Sequence, residues 1–80
     1  MKTKIVQLKG VVFEGEAKLV NAQTTSGEVT ILDGHQPLVS TLLPNTRVYL
    51  DDANGKRIEF QVAGGFLHLD STNELTILAD

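Results

Sequence analysis

The sequence predicts an all-β fold, a sandwich or flattened barrel of about eight to ten short strands. Polar and apolar residues alternate with a period of two in most segments, as in half-buried strands. Turn-forming residues interrupt this alternation about every six to twelve residues. No stretch of about a dozen residues has helical apolar spacing without an internal glycine or proline. Because a chain of 80 residues has room for one core, we expect a single domain over residues 1–80.

The amino-terminal part is predicted to contain three strands. Lys2–Leu8 alternates and ends before a Lys-Gly pair. Val11–Phe13 is a short β-branched and aromatic run, and we expect Gly15 to end it. Lys18–Thr24 alternates again, so its even and odd positions should face opposite sides of a sheet.

The next two strands surround the most unusual turn of the chain. Glu28–Leu32 is a strand between two glycine-bearing turns, the second of which contains Asp33-Gly34. Pro37 lacks an N–H donor and forces the residue before it into an extended conformation. We therefore predict that Leu38–Leu43 is an edge strand or a strand that starts at Pro37.

Four further strands follow, separated by recognisable turns. Asn54-Gly55 is suited to a tight hairpin because both residues accept positive φ. Gly64-Gly65 permits a bend or bulge and is expected to be structural. The predicted strands are Thr46–Leu50, Arg57–Val62, Phe66–Leu69 and Leu75–Leu78.

Composition and charge exclude several function classes. The formal net charge is -3, and the seven basic residues are scattered rather than clustered, so no nucleic-acid partner is expected. No apolar run approaches the roughly 20 residues that span a bilayer, and the basic amino terminus lacks a signal-peptide core. Cysteine is absent, which removes disulfides and thiolate ligands. We expect a soluble protein.

No residue pattern supports catalysis, a cofactor or a metal site. The serines lack the Gly-x-Ser-x-Gly context of a nucleophile, and His35 and His68 lack other histidines at ligand spacing. Asp51 and Asp52 should point to opposite faces of a strand, as solvated turn carboxylates. Lys56 lies near a hairpin tip but lacks the context of lipoyl or biotin attachment. We therefore expect a binding surface rather than an active site.

The stretch from Ser26 to Leu38 is the best candidate for that surface. It concentrates two tight turns, with Glu28 at the first and His35 at the second. His35 has two interpretations that the sequence leaves open: it holds its turn by hydrogen bonding to nearby backbone, or it contacts a partner.

Several motifs in order resemble the epsilon subunit of F-type ATP synthases. The resemblance covers essentially the whole chain, with gaps only around the hairpin at residues 51–57. The motifs that carry it are Phe13-Glu14-Gly15-Glu16, Ser26-Gly27-Glu28, Ile31-Leu32-x-Gly34-His35-x-Pro37-Leu38, Gly64-Gly65-Phe66-Leu67 and Leu75-Thr76-Ile77-Leu78-Ala79-Asp80.

The resemblance implies a flattened β-sandwich and a non-catalytic central-stalk subunit of a proton-translocating ATP synthase. Such a subunit links the gamma subunit to the c-ring and couples ion flow to ATP synthesis. It has no active site and no cofactor of its own. It is peripheral to the energy-coupling membrane, on the cytoplasmic side in bacteria or the stromal side in chloroplasts, and is held there only through the complex.

Position by position, the resemblance implies two contact sets. The c-ring set is Ser26, Gly27 and Glu28. The gamma-subunit set is His35, Gln36, Pro37, Leu38 and Ser40. The alternative to this interpretation is a stand-alone β-sandwich interaction module, which would not bind a gamma subunit.

The sequence also departs from the family pattern. Asp33 stands where a proline often precedes the Gly-His pair, Thr30 where many members have glycine, and Asn45 where glycine usually follows proline. Family members usually continue past the Ala-Asp pair into a helical hairpin that inhibits ATP hydrolysis or binds ATP. This sequence ends at Asp80, so we expect neither self-inhibition nor nucleotide binding.

Overall fold

The computed structural model describes residues 1–80 and contains eight β-strands and no helix. This confirms the predicted all-β class and the range of strand number. The strands are β1 (Lys2–Gln7), β2 (Gly10–Thr24), β3 (Gly27–Leu32), β4 (Leu38–Leu42), β5 (Thr46–Asp52), β6 (Arg57–Val62), β7 (Gly65–Leu69) and β8 (Glu74–Ala79).

Strand β2 is a single strand of 15 residues, so the predicted break at Gly15 is wrong. The first half of β2 pairs antiparallel with β1, and Gly15 lies opposite Thr3 within that ladder. The Phe13 ring covers the glycine, since a Cβ placed on Gly15 would be 3.7 Å from its Cζ atom. A paired neighbour and an aromatic cover keep the glycine inside the strand.

The strands form two layers that share β2. In the first layer, the first half of β2 pairs with β1, and the order continues through β8 and β7 to β4. In the second layer, the second half of β2 lies between β3 and β5, and β6 pairs with β5. The β1–β8 pair is parallel and every other pair is antiparallel. The arrangement is a flattened sandwich.

A β-bulge allows β2 to serve both layers. Ala17 and Leu19 lie opposite the adjacent residues Asp52 and Asp51 of β5, so Lys18 is the extra residue. A bulge residue shifts the side-chain alternation by one position. Just before the bulge, the odd-numbered Phe13 and Ala17 face the interior, whereas after it the even-numbered Val20 and Ala22 do.

The core lies between the two layers and is built from every strand. It contains no charged side chain. Its members are Met1, Ile5, Ala17, Val20, Ala22, Ile31, Leu42, Val48, Leu50, Val62, Leu67, Leu69, Leu75, Ile77 and Ala79.

Strand β4 is an edge strand, as predicted from Pro37. It pairs with β7 over its whole length, but it meets β2 at a single position, where Leu42 lies opposite Thr24. Strand β3 is likewise paired on one side only, with β2. Each layer therefore ends in a strand with a free edge.

The two aspartates at the end of β5 build the predicted Asn-Gly hairpin. Asp52 Oδ1 accepts hydrogen bonds from the backbone N–H groups of Asn54 and Lys56, both at 2.9 Å. Asp51 accepts two hydrogen bonds from Arg57, at 2.8 and 3.1 Å. The carboxylates are thus bound within the hairpin, rather than only solvated as expected.

Gly65→Ala should lower the free energy of unfolding by about 2–4 kcal/mol. A Cβ on Gly65 would overlap the carbonyl oxygen of Leu78 and lie 2.8 Å from Ala79 Cα, in a backbone with φ of 129°. Urea denaturation followed by circular dichroism measures the loss. Gly64→Ala is the control, because Gly64 also has a positive φ, of 157°, but the nearest atom to its Cβ would be an Asp80 oxygen at 3.9 Å. Equal losses for the two variants would contradict this account.

Candidate functional site

A groove lies between the tip of the β2–β3 hairpin and the edge strand β4. Its volume is about 280 Å³. It is lined by Thr24, Ser26, Gly27, Glu28, Val29, Leu38, Val39 and Ser40. The structure therefore brings the whole c-ring set implied by the resemblance together with Leu38 and Ser40 of the implied gamma set, although the resemblance implied two separate surfaces.

Local hydrogen bonds fix the hairpin tip. Thr24 Oγ1 donates to the carbonyl oxygen of Gly27 at 2.8 Å and accepts from the N–H of Ser26 at 3.1 Å. Gly27 has φ of 109°, in the region that favours glycine. The N–H of Thr25 donates to the carbonyl oxygen of Thr41 at 2.9 Å. The tip is thus fastened to β4 at the end of the groove.

The other side of the groove is the free edge of β4. Backbone groups of residues two apart in a strand point the same way. Because the Thr41 carbonyl points toward the hairpin, the N–H and C=O of Val39 point to this same edge, where no strand pairs with them. The Val39 side chain is 71% exposed. This edge offers both backbone hydrogen bonds and apolar area to a partner.

Glu28 belongs to β3 rather than to the turn, and two amides hold its carboxylate. Asn21 Nδ2 donates to Glu28 Oε2 at 3.1 Å, and Gln23 Nε2 donates to the same oxygen at 3.3 Å. Asn21 is 3% exposed, whereas Glu28 is exposed. The structure thus presents one oriented carboxylate at the rim of the groove.

The turn that carries His35 is anchored from outside the turn. Asp33 Oδ1 lies 2.6 Å from the amino group of Met1 and accepts from Asn73 Nδ2 at 2.7 Å. Asn73 Oδ1 in turn accepts from the N–H of Gly34 at 3.1 Å. Asp33, which departs from the family pattern, therefore ties this turn to the chain terminus and to the β7–β8 turn.

His35 lies outside the groove. Its Nδ1 is 2.7 Å from the carbonyl oxygen of Gln36, and its N–H donates to the carbonyl oxygen of Leu32 at 3.0 Å. His35, Gln36 and Pro37 are all exposed. The imidazole thus bonds nearby backbone, as one of its two interpretations requires, and its exposed side remains accessible to a partner.

The sequence interpretation missed an apolar band on the outer face of the first layer. Val11, Val6, Leu78 and Phe66 lie in one cross-strand row over β2, β1, β8 and β7. Phe66 is 57% exposed, Leu78 is 53% exposed, and the adjacent Leu8 is 90% exposed. Adjacent apolar pairs such as Ile77-Leu78 signal it in the sequence, because one member of each pair has to face outward. An exposed apolar row of this kind marks an interaction surface.

The structure contains no cluster of three or more histidine, cysteine, aspartate or glutamate side chains able to hold a metal ion. None of its segments forms a helix with the length and apolarity needed to cross a membrane.

Sequence comparison connects the fold to known proteins. A family model described as the β-sandwich domain of the ATP synthase delta/epsilon chain matches residues 1–80. The ATP synthase epsilon chain of Corynebacterium aurimucosum is 39% identical over 77 residues, which are 96% of this chain and 62% of that one. The epsilon chain of Rhodococcus erythropolis is 39% identical over 80 residues, covering 100% of this chain and 65% of that one. The chain therefore spans less than two thirds of the length of these relatives.

Solved structures share the fold at lower sequence identity. A chain in the cryo-EM structure of the Euglena gracilis mitochondrial ATP synthase matches with a TM-score of 0.89 at 22% identity, covering 99% of this chain and 49% of that one. A chain in the central stalk and c-ring structure of the Tetrahymena thermophila mitochondrial ATP synthase matches with a TM-score of 0.79 at 15% identity, covering 99% of this chain and 62% of that one.

The anchor of the His35 turn makes stability depend on pH. The hydrogen bond from the Met1 ammonium group, followed by that from Asn73, holds the pKa of the Asp33 carboxyl below its ordinary value of 3.8. Desolvation opposes the charge on the Met1 amine, but hydrogen bonds to Asp33 and Glu16 outweigh it, so the pKa of this amine lies above its ordinary value of 8.0. The ion pair between Asp33 and the Met1 ammonium group therefore contributes fully to stability between pH 3.8 and pH 8.0, the ordinary pKa values of the two groups.

Above about pH 8, stability should fall as the Met1 amine loses its proton, because its folded pKa exceeds its unfolded pKa. Asp33→Asn should reduce this alkaline loss, since the neutral amide no longer favours the ammonium form. Urea denaturation from about pH 7 to about pH 9.5 measures both slopes. Glu14→Gln is the control, because Glu14 is exposed and does not contact Met1. The same alkaline slope in Asp33→Asn and wild type would exclude this coupling.

Proposed function

The chain belongs to the ATP synthase delta/epsilon chain β-sandwich family, and on that basis we propose that it is a central-stalk rotor subunit of a proton-translocating F-type ATP synthase. In this role it links the gamma subunit to the c-ring and couples ion flow to ATP synthesis. The observation that carries the proposal is the match to epsilon chains, which extends over 96–100% of this chain at 39% identity.

We propose that His35, Gln36, Pro37, Leu38 and Ser40 contact the gamma subunit. The free edge of β4 is the structural feature that favours this assignment. Leu38 packs against the core and also lines the groove, so it combines a rigid base with accessible apolar area. Well-packed residues near the centre of an interface contribute most of its affinity, and Leu38 occupies such a position in the proposed contact.

We propose that Ser26, Gly27 and Glu28, at the hairpin tip, contact the c-ring. The tip is fixed to β4 before a partner arrives, so little conformational entropy is lost when it binds. A carboxylate at such a contact sets orientation and register more than affinity.

Coupling by this protein requires binding and rigidity, and no bond-making step. We therefore propose that the chain is a non-catalytic subunit without a cofactor. Its place at the membrane would follow from its partners, on the side of the catalytic head, which is the cytoplasmic side in bacteria or the stromal side in chloroplasts.

Leu38→Ala should weaken binding of the gamma subunit about tenfold, because it removes apolar contact at the centre of the proposed interface. His35→Ala should weaken it less, since the imidazole lies at the border of the surface. Calorimetric titration with purified gamma subunit measures both losses. Lys56→Ala is the control, because Lys56 lies in the β5–β6 hairpin, outside the groove.

If the wild-type chain binds the gamma subunit and both Leu38→Ala and His35→Ala bind it equally tightly, the site assignment is refuted but the proposed function is not. Absence of gamma binding by the wild-type chain would refute the function. It would favour the stand-alone interaction module instead.

Glu28→Lys should lower the affinity for a purified gamma–c-ring assembly, and low salt should enlarge the difference, because exposed charges act more strongly when they are less screened. Surface binding at two ionic strengths measures this. Glu14→Lys provides a control with the same charge change on the outer face of the first layer, away from the groove. An equal effect of both substitutions would show that only net charge matters, which would exclude a local contact at Glu28.

A further inference from the structure

Glu28 differs from the other exposed acids of the chain in how its carboxylate is held. Its Oε2 accepts hydrogen bonds from Asn21 and Gln23, both on the neighbouring strand β2. No lysine, arginine or amino terminus lies within ion-pair distance of it. The carboxylate is therefore oriented by neutral amides, and its charge has no cationic partner within the chain.

Asn21 is the buried member of this arrangement. Its side-chain nitrogen donates to Glu28 Oε2 at 3.1 Å and to Thr30 Oγ1 at 2.9 Å, so the two hydrogens of the amide serve two adjacent outward-facing residues of β3. A buried amide is costly unless it is hydrogen bonded, and both of these hydrogen bonds would be lost if the Asn21 side chain rotated away. Through this hydrogen bond, the buried Asn21 side chain restricts the orientation of the exposed Glu28 carboxylate.

The arrangement leaves one oxygen of Glu28 available. Both amide donors contact Oε2, and no side chain of the structure donates to Oε1. Arg47 lines the same outer-face cavity as Glu28, but its ion pair is with Glu59, at 3.6 Å. A guanidinium or ammonium group from outside the chain therefore meets an oriented carboxylate that no cation of the chain occupies.

We propose that Asn21 is a positioning residue, which fixes the Glu28 carboxylate so that Oε1 receives a lysine or arginine side chain of a partner loop. The inference rests on the proposed contact between the hairpin tip and the c-ring, and it specifies the chemistry of that contact. Holding a rotamer-rich side chain in its bound orientation before association increases affinity about threefold to tenfold.

A double-mutant cycle tests whether Asn21 acts through Glu28. Asn21→Ala should weaken binding to the purified gamma–c-ring assembly about threefold to tenfold. In the Glu28→Gln background, where the charge is absent, Asn21→Ala should have little further effect. Equal effects in both backgrounds would overturn the proposal, because they would show that Asn21 acts on the fold alone.

Two further variants distinguish loss of the Glu28 contact from a general effect of Asn21→Ala on the fold. Gln23→Ala removes the second amide from a partly exposed position and repeats the same cycle if Asn21→Ala fails to fold. Thr30→Val removes the other acceptor of Asn21 and leaves the Glu28 contact in place, so it should not change binding. A loss of binding in Thr30→Val equal to that in Asn21→Ala would overturn the proposal.

Side-chain NMR relaxation of the free protein separates this inference from the proposed function. The Glu28 methylene groups should be ordered in the wild type and mobile in Asn21→Ala. Unchanged order would overturn the positioning role, whatever the partner. If the Glu28 methylene groups lose order in Asn21→Ala but Glu28→Gln binds the assembly as tightly as the wild type, the proposed ring contact is overturned instead. The proposed lysine or arginine partner of Glu28 is then overturned with it.

Discussion

The sharing of β2 between the two layers is the constraint on which the rest of the fold depends. One strand of 15 residues pairs with β1 in one layer and with β3 and β5 in the other. This works only because the bulge at Lys18 exchanges the inward and outward faces. Without that shift, Asn21 and Gln23 would face the core, and Val20 and Ala22 would face water.

The same strand determines where the candidate site lies. Its carboxyl end leads directly into the hairpin tip and brings that tip over β4, the last strand of the other layer. The groove therefore lies where the hairpin tip of the second layer meets the free edge of β4. The outward position of Asn21, fixed by the bulge, also places its amide beside Glu28. The architecture of the core and the orientation of the surface carboxylate have a common origin.

Local sequence patterns predicted the strands and turns but not the contacts between distant segments. The edge position of β4 follows from Pro37. Asn45, which stands where glycine usually follows proline, has the positive φ that glycine would adopt there. The continuity of β2 through Gly15 cannot be predicted from the local sequence, because it depends on pairing with β1 and on the Phe13 ring that covers Gly15. The bond between Asp33 and Met1 joins residues that no local pattern connects. The contact sets were predicted as separate surfaces because only the three-dimensional pairing brings the hairpin tip onto β4.

We propose that the hairpin tip and the free edge of β4 form one continuous surface, on which the contacts to the c-ring and to the gamma subunit lie side by side. Hydrogen exchange of the free chain and of its complex with the gamma–c-ring assembly tests it directly, because the N–H of Val39 has no strand partner in the free chain. We expect the Val39 amide to exchange rapidly in the free chain and to become protected in the complex, and the amides of residues 26–28, already hydrogen bonded or paired within the hairpin, to gain protection there. The free edge of β6 should remain unchanged. Protection at β6 with continued rapid exchange at Val39 would contradict the claim.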